Sequence, residues 1–410
     1  MSGRVGDLSE QQQKKLNEFR QNLSDDLSPR HDDHYLLRWL RARKFDLSKS
    51  EKMLRDHLIF RKQMNIDGIL DWNPPEVLPK YMPGGICGHH KDGGIIWIEP
   101  YGRIDPKGIV RSCNKSDFVR YKTKFCEIIL KDFQEQSKKL GKIVDDVIVI
   151  VDLDTIEYHH IWQPLVDAYN AAFTMFEANY PEVLKICFVL NAPSMVSAGF
   201  SLIKPFLSED TTHKIKFLKS NQLQVLLEYI DPDQLPKAYG GTRTDSNGCP
   251  QCKDEICWGG KVPRSYYVNK ELQEIENLQK VSIPSKSSHY VKLEITEENS
   301  VISWDFNSDE AIIFGIFKKN KAEKEKEKDL KIIQSKAKYN SNQVPESGKI
   351  VCIQVGLYVL TFENTNILQS KSVRYNVEVR PPMNENTTKA KEHCNETSVH
   401  PSCNHCSAIG

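Results

Sequence analysis

YPEVLKICFVLNAP, residues 180–193, is followed by FSLIKPFLSEDTTHKIKFL, residues 200–218, and by LPKAYGG, residues 235–241. Lys185 to Leu190 is a short apolar run with the length of a buried strand. The stretches around Phe200 to Phe206, His213 to Leu218 and Leu223 to Ile230 are amphipathic, and Gly240 and Gly241 punctuate the end. Reading backwards, Trp162 to Ala178 is helical in pattern, and Val147 to Val151 is a β-branched run suited to a strand covered on both faces. Phe118, Tyr121, Phe125, Ile128, Ile129 and Phe133 form a helical stripe, and Ile95 to Ile98 is a further strand. Alternating strands and helices from about Gly93 predict a parallel or mixed α/β sheet.

On the N-terminal side, Leu36, Leu37 and Leu40, then Met53, Leu54, Leu58 and Ile59, recur at helical spacing. Ser9 to Gln12, and Asp46 before Leu47, supply helix caps, and Asn73, Pro74 and Pro75 end the helical unit. On the C-terminal side the period becomes two. Segments near Tyr290 to Ile295, Val301 to Phe306, Ala311 to Phe317, Lys349 to Leu360 and Val373 to Val379 predict short strands of a β-sandwich. The Lys/Glu run from Lys318 to Lys331 reads as a solvated loop within it. The expected organisation is a helical unit over 1–75, an α/β domain over 76–245, a linker over 246–284, a β-sandwich over 285–381 and a disordered tail over 382–410.

With 56 basic and 55 acidic residues in 410, the net charge is +1, which gives no general attraction for nucleic acid. The N-terminal residues lack the apolar core of a signal peptide, and Val147 to Val151, the longest apolar run, is far short of a membrane span. Eleven cysteines, an odd number scattered along the chain, suit reduced thiols. A cytoplasmic protein is expected.

An α/β sheet can host many chemistries, so the motifs must decide. No GxGxxG follows a strand, and no phosphate loop, GxSxG elbow or HExxH occurs. The nearest approach is Asp152-Leu153-Asp154-Thr155 at a strand end, a pattern of phosphatases that use paired aspartates. Ile156 stands where that pattern wants Thr or Val, and strand-end carboxylates that cap a turn are the plainer reading. The pairs His89-His90 and His159-His160 are sequence neighbours whose side chains diverge, which suits solvated loop histidines better than a metal site. Cys249 and Cys252 with Cys257, and Cys403 with Cys406 beside His393, Cys394 and His405, could form a zinc site, but about 150 residues separate them; free thiols are expected. Neither a catalytic group, a metal nor a cofactor is expected.

The strings around Tyr180 to Gly241 resemble the CRAL-TRIO lipid-binding domain of phosphatidylinositol transfer proteins of the yeast secretory type. LLRWLRARKFD, Leu36 to Asp46, resembles the helical segment that precedes it. FGIF at Phe314 to Phe317 and VPESG at Val344 to Gly348 resemble the GOLD domain of the supernatant protein factor and tocopherol-associated protein branch. The resemblance runs from about residue 5 to 381. It implies a multidomain α/β plus all-β protein: an N-terminal helical unit, a CRAL-TRIO cavity domain and a C-terminal GOLD β-sandwich.

The resemblance also implies a function. A gate helix carrying the KPFL segment would place Phe200, Ile203, Phe206 and Leu207 at the lid, and Trp97, Phe125 and Val149 are assigned to the cavity. Exposing one 16-carbon chain to water costs on the order of 12 kcal/mol at ~0.8 per methylene, so a carrier needs such a lid. The family's phosphoinositide headgroup site maps to Arg43, Lys44, Glu182, Thr211 and Lys214, which keep the residue types that suit a phosphate and sugar hydroxyls. The hydroxyl residues that contact choline lipids in the yeast proteins give way here to Val147, Ile148, Val149 and Ile150, which favours a tocopherol, squalene or related isoprenoid over phosphatidylcholine. The expected function is cytosolic lipid binding and transfer, with a transient membrane surface as partner and a possible protein partner at the sandwich. A lipid-regulated sensor or adaptor is the alternative, and a phosphatase the remote one.

Overall fold

The computed structural model describes residues 2–194, 196–268, 278–319 and 330–382. Three helices open the chain: α1 (Glu10–Asn22), α2 (Asp33–Ala42) and α3 (Leu47–Gln63). Each begins where a side chain can satisfy an orphan amide. Ser9 and Gln12 exchange reciprocal hydrogen bonds of 3.1 and 2.9 Å, and Asp32 and Asp46 accept from Tyr35 and Lys49. The helices enclose their own core of Leu16, Phe19, Leu36, Leu37, Trp39, Leu40 and Leu54.

The α/β domain follows as α4 (Val77–Tyr81), β1 (Gly84–His89), β2 (Ile95–Glu99), α5 (Pro106–Ser112), α6 (Lys115–Leu140), β3 (Val147–Asp152), α7 (Gln163–Asn179), β4 (Leu184–Leu190), α8 (Val196–Ile203), α9 (Glu209–His213), β5 (Ile215–Leu218), α10 (Leu226–Tyr229) and β6 (Ile256–Cys257). The sheet order is β5-β4-β3-β2-β1-β6. Strands β2 to β5 run parallel, while β1 is antiparallel to both neighbours. Strand β1 escapes the sequence reading because it is glycine-rich. Its Gly85 is required, since a Cβ there would lie 2.2 Å from the Glu255 carbonyl oxygen across the β1–β6 pair.

The expected linker over 246–284 is corrected. Cys252 and Ile256 are buried in the sheet core, Val262 packs with Phe118 and Tyr169, and Tyr266 and Tyr267 pack beside them. Polar composition hid a two-residue strand and its anchors. The other end of the segment already belongs to the sandwich, which comprises β7 (Gln279–Ile283), β8 (Ser287–Ile295), β9 (Ser300–Ser308), β10 (Ile312–Lys319), β11 (Leu330–Tyr339), β12 (Glu346–Cys352), β13 (Gly356–Asn364) and β14 (Lys371–Arg380). Two antiparallel four-stranded sheets, β11-β10-β13-β8 and β12-β9-β14-β7, close on a core of Trp304, Phe306, Phe314, Phe362 and Tyr375. The Lys349 to Leu360 stretch spans parts of two strands. Most of the Lys318–Lys331 run and almost all of the expected tail lie outside the described residues.

The sandwich docks on the α/β domain at the start of α6. Asn114, the cap of α6, donates to Ser347 Oγ at 3.0 Å, Lys115 Nζ donates to the Lys338 carbonyl at 2.7 Å, and Asn340 donates to Asp167 of α7 at 3.4 Å.

Candidate functional site

The two faces of the parallel sheet differ. Ile96, Ile98, Ile148, Ile150, Ile186, Phe188 and Leu190 point to one face and are all buried under Leu226, Ile230, Leu235 and Tyr239. The other face carries two rows set by strand register: Trp97, Val149, Cys187 and Ile215, then Glu99, Val151, Val189 and Phe217. Here Val149 and Val151, in the middle of the sheet, are only half-buried, and Phe217 is 46% exposed. Central parallel strands are ordinarily covered on both sides, so this face has an incomplete lid. The expectation that β3 is covered on both faces is corrected accordingly.

The helix over this face is α8. It hangs from α7, with the Leu202 carbonyl accepting from Asn170 Nδ2 at 3.5 Å, and it touches the sheet edge-on through Phe200 against Phe217 at 5.7 Å. Ile203 and Leu207 are half-buried, whereas Leu202 and Phe206 are 40% and 41% exposed. The opposite wall is α6. Phe125 packs edge-on against Trp97 at 4.7 Å, and Trp97 and Val149 share one cluster with Ile129 and Phe133. Of the residues assigned to gate and cavity, Trp97, Phe125 and Val149 pack together on this face, and Phe200 meets Phe217 at its edge. A hollow of about 540 Å³ lies beyond this wall, at the β1–β6 edge, and includes Phe125 and Tyr121.

A buried polar cluster unseen in the sequence closes the end of this face. Glu99, at the end of β2, accepts from Tyr169 Oη at 2.6 Å, Lys122 Nζ at 2.9 Å and Trp97 Nε1 at 3.1 Å. Burial, with the Glu99 charge adding to it, pushes the Tyr169 hydroxyl pKa well up. The only sequence signal was an acidic residue ending an apolar strand.

At the junction of the helical unit and the α/β domain, Arg41 Nε lies 3.3 Å from Glu182. Lys214 lies 3.0 Å from Asp210, and Lys214 first, with Glu182 as a lesser partner, holds the Asp210 carboxyl below the usual range. Thr211 Oγ1 accepts from Ser208 Oγ at 2.9 Å. Glu182, Asp210 and Lys214 are thus neighbours. Arg43 instead donates to the Ala42 carbonyl at 2.9 Å, and Lys44 is exposed. Lys44 and Phe45 both hold left-handed backbone, φ 52° and 58°, a costly conformation for residues with a Cβ. The turn is held by Phe45 N–H to Leu40 O at 2.7 Å and Lys15 Nζ to Phe45 O at 2.8 Å. Sequence reasoning missed Arg41. Its position one turn after Arg38 on the same face of α2 was the available signal, and its buried Nη2 has no hydrogen-bond partner among the described residues.

Asp152 is consumed structurally: it accepts from Asn191 Nδ2 at 2.8 Å, the Asp154 amide at 2.9 Å and Tyr239 Oη at 3.1 Å. The histidine expectation is corrected in part. His90 is buried 3.0 Å from Asp146, His160 is buried, and His89 pairs with Asp132 at 3.1 Å, because each turns back into the domain; His159 is exposed. Among the described residues no His/Cys/Asp/Glu group could hold a metal ion, and all eight cysteines are unbridged. Cys403 and Cys406 lie outside the described residues. No described helix is long and apolar enough to cross a membrane.

The fold defines a class: a helical unit packed on an α/β domain whose parallel sheet is sealed on one face and partly uncovered beneath a helix on the other. Residues 80–241 match the sequence model of the CRAL/TRIO domain and residues 15–56 that of the CRAL/TRIO N-terminal domain, so the chain carries a CRAL/TRIO domain preceded by its N-terminal domain. CRAL-TRIO domain-containing protein T23G5.2 of Caenorhabditis elegans is 32% identical over 322 residues, covering 74% of this chain and 43% of that protein. The chain thus spans less than half of that relative, but the likeness runs past Gly241 into the C-terminal part. The crystal structure of Sfh5 is similar at 16% identity and a TM-score of 0.43, covering 63% of this chain and 86% of that one. The CBM36-1 domain of a multidomain xylanase from the hindgut metagenome of Trinervitermes trinervoides is similar at 7% identity and a TM-score of 0.17, over 27% of this chain and 89% of its own.

Proposed function

We propose that this chain is a cytosolic lipid carrier that encloses one hydrophobic molecule against the uncovered face of its parallel sheet and exchanges it with membranes. The observation that carries this reading is the asymmetry of the sheet. Seven residues on one face are sealed, while Val149, Val151 and Phe217 on the other lie under a helix suspended from α7. Apolar area left uncovered in a domain's centre is stabilised by an apolar occupant. The wall is aliphatic and aromatic with one satisfied polar cluster at Glu99, which suits a tocopherol, squalene or related isoprenoid; Arg41, Glu182, Thr211 and Lys214 suit the headgroup of phosphatidylinositol. Phe200, Ile203, Phe206 and Leu207 act as the gate. The sandwich is read as GOLD-like and as the surface for any protein partner.

Purification without detergent from lipid-rich cells, followed by native mass spectrometry, tests this. One lipid per chain is expected. A chain that is empty and takes up no added lipid overturns the reading.

A further inference from the structure

We propose that the turn joining β13 to β14 is a membrane wedge, entering the interfacial layer of a bilayer with Ile367 and Leu368. The proposal deepens the lipid-exchange reading and rests on it. Scattered exposed aliphatics are ordinary on protein surfaces. This pair is different because it is adjacent, at the tip of a turn whose backbone is held in one shape, with Ile367 64% and Leu368 85% exposed.

The turn is pinned by two asparagines. Buried Asn364 donates through Nδ2 to the carbonyls of Gln369 at 2.9 Å, Ile283 at 3.0 Å and Pro284 at 3.1 Å, and accepts the Asn366 amide at 3.0 Å. Asn366 Oδ1 accepts the amides of Leu368 at 2.9 Å and Gln369 at 3.3 Å, and its carbonyl accepts from the Lys286 amide at 3.1 Å. Side-chain oxygens that satisfy backbone donors stabilise such turns. With the amides of Asn366, Leu368 and Gln369 and the carbonyls of Asn366 and Gln369 engaged, the turn presents both aliphatic side chains to water.

Charge favours a membrane occupant. Thr365, Gln369 and Ser370 are neutral, and the adjoining β7–β8 turn contributes exposed Lys286. The nearby carboxylates are engaged: Glu363 with Lys336 at 2.7 Å, Asp309 with the Ser372 amide at 3.0 Å, and Glu310 with Lys371 at 3.6 Å. Two aliphatic side chains on a convex tip fall far short of the ~800 Å² per partner that a stable protein interface buries. A fluid bilayer sets no such requirement for a matching surface.

Position ties the wedge to the gate. Thr365 and Asn366 share a hollow of about 350 Å³ with Lys338, and Asn340, two residues on, donates to Asp167 of α7. One turn along α7, Asn170 donates to the Leu202 carbonyl of α8. The sandwich end that carries the wedge and the helix that carries Leu202 are thus anchored on the same turn of α7.

The test uses the full chain and sedimentation with protein-free vesicles of phosphatidylcholine containing a minor share of phosphatidylserine. The double variant Ile367→Ser, Leu368→Ser should lower vesicle partition about tenfold or more, and Ile367→Phe, Leu368→Trp should restore it. Lipid retained after detergent-free purification should be the same in all three proteins. Unchanged partition of the serine variant overturns the wedge and leaves the tip as a contact for a protein. Loss of retained lipid together with partition also overturns it, because exchanging two exposed side chains for serine should leave the fold and its cavity intact. Wild-type protein that sediments through these residues yet never holds a lipid keeps the wedge and sinks the carrier reading.

Discussion

Glu346 of the sandwich accepts the backbone amide of Lys115, the first residue of α6, at 3.1 Å. A carboxyl from one domain thereby caps the longest helix of another, and that helix carries Phe125 and Ile129 of the apolar wall. Burial pushes the Glu346 carboxyl pKa up to about 8, with the amide and charge of Lys115 opposing and Asp117 adding to the rise. Lys115 itself is pulled down by burial, although its ammonium donates to the Lys338 carbonyl and stands 4.7 Å from the Tyr339 ring centroid. The docked sandwich thus buries a carboxyl whose environment favours the protonated form, against the first turn of the helix that carries the wall.

The first prediction concerns rising pH. A carboxyl raised from 4.5 to about 8 binds its proton more tightly in the folded state. Its contribution to stability is fully present below about pH 4.5 and is lost as pH rises through about 8. Unfolding of the docked sandwich should ease across that window by at most ~1.4 kcal/mol per pH unit. Glu346→Gln should flatten the dependence. Thermal melts of both proteins across the window check this, and parallel slopes would refute it.

The second prediction concerns acid. His57 of α3 is buried with Nδ1 3.1 Å from Asn179 Oδ1 at the end of α7, and burial lowers its pKa to about 3. Here the sign reverses. Stability is present above the ordinary value of 6.5 and is lost as pH falls towards about 3. His57→Phe should remove part of the acid slope and cost about 1–3 kcal/mol at neutral pH, because Asn179 loses its donor. Hydrogen exchange in α1 to α3 as a function of pH reads both effects.

Much of this was legible in the sequence, for reasons that differ by element. The runs at Val147 and Lys185 announced β3 and β4 because buried parallel strands must be apolar throughout. Strand β1 was silent because its register demands glycines, and β6 because two residues have no periodicity. The gate assignment rests on resemblance, and of its residues Phe200 is the one that meets the sheet, at Phe217. Arg41 and Glu99 left only faint local signals, an arginine one turn after Arg38 and a carboxylate ending an apolar strand, because their partners lie 141 and 23 residues away in sequence.

Asp152 yields the third prediction. Its two oxygens accept from Asn191, Asp154 and Tyr239, so it fastens the end of β3 to the β4 exit and to the segment before Gly240. Asp152→Ala should leave buried donors unpaired and destabilise the domain by about 1–3 kcal/mol. No phosphate release should be seen from either protein with a generic phosphomonoester. Phosphate release by the wild type that vanishes in the variant would revive the hydrolase reading.

The last prediction separates headgroup from tail. Arg41 is the mostly buried partner of Glu182 and keeps a donor unpaired among the described residues, whereas the Arg43 side chain donates to the neighbouring Ala42 carbonyl. Lys214 is spent on Asp210, a partner that an incoming phosphate could displace. If a phosphorylated headgroup sits here, Lys214→Ala should weaken phosphatidylinositol binding about tenfold or more, the worth of a charged hydrogen bond, and leave a neutral isoprenoid unaffected. Arg41→Ala should also lower stability, because it strands the Glu182 charge between the helical unit and the α/β domain. Arg43→Ala should have the smallest effect of the three. Competitive loading of the purified chain with phosphatidylinositol and α-tocopherol, read by mass spectrometry, gives both affinities at once. Equal loss of both ligands in Lys214→Ala would mean that the basic group supports the fold rather than the headgroup.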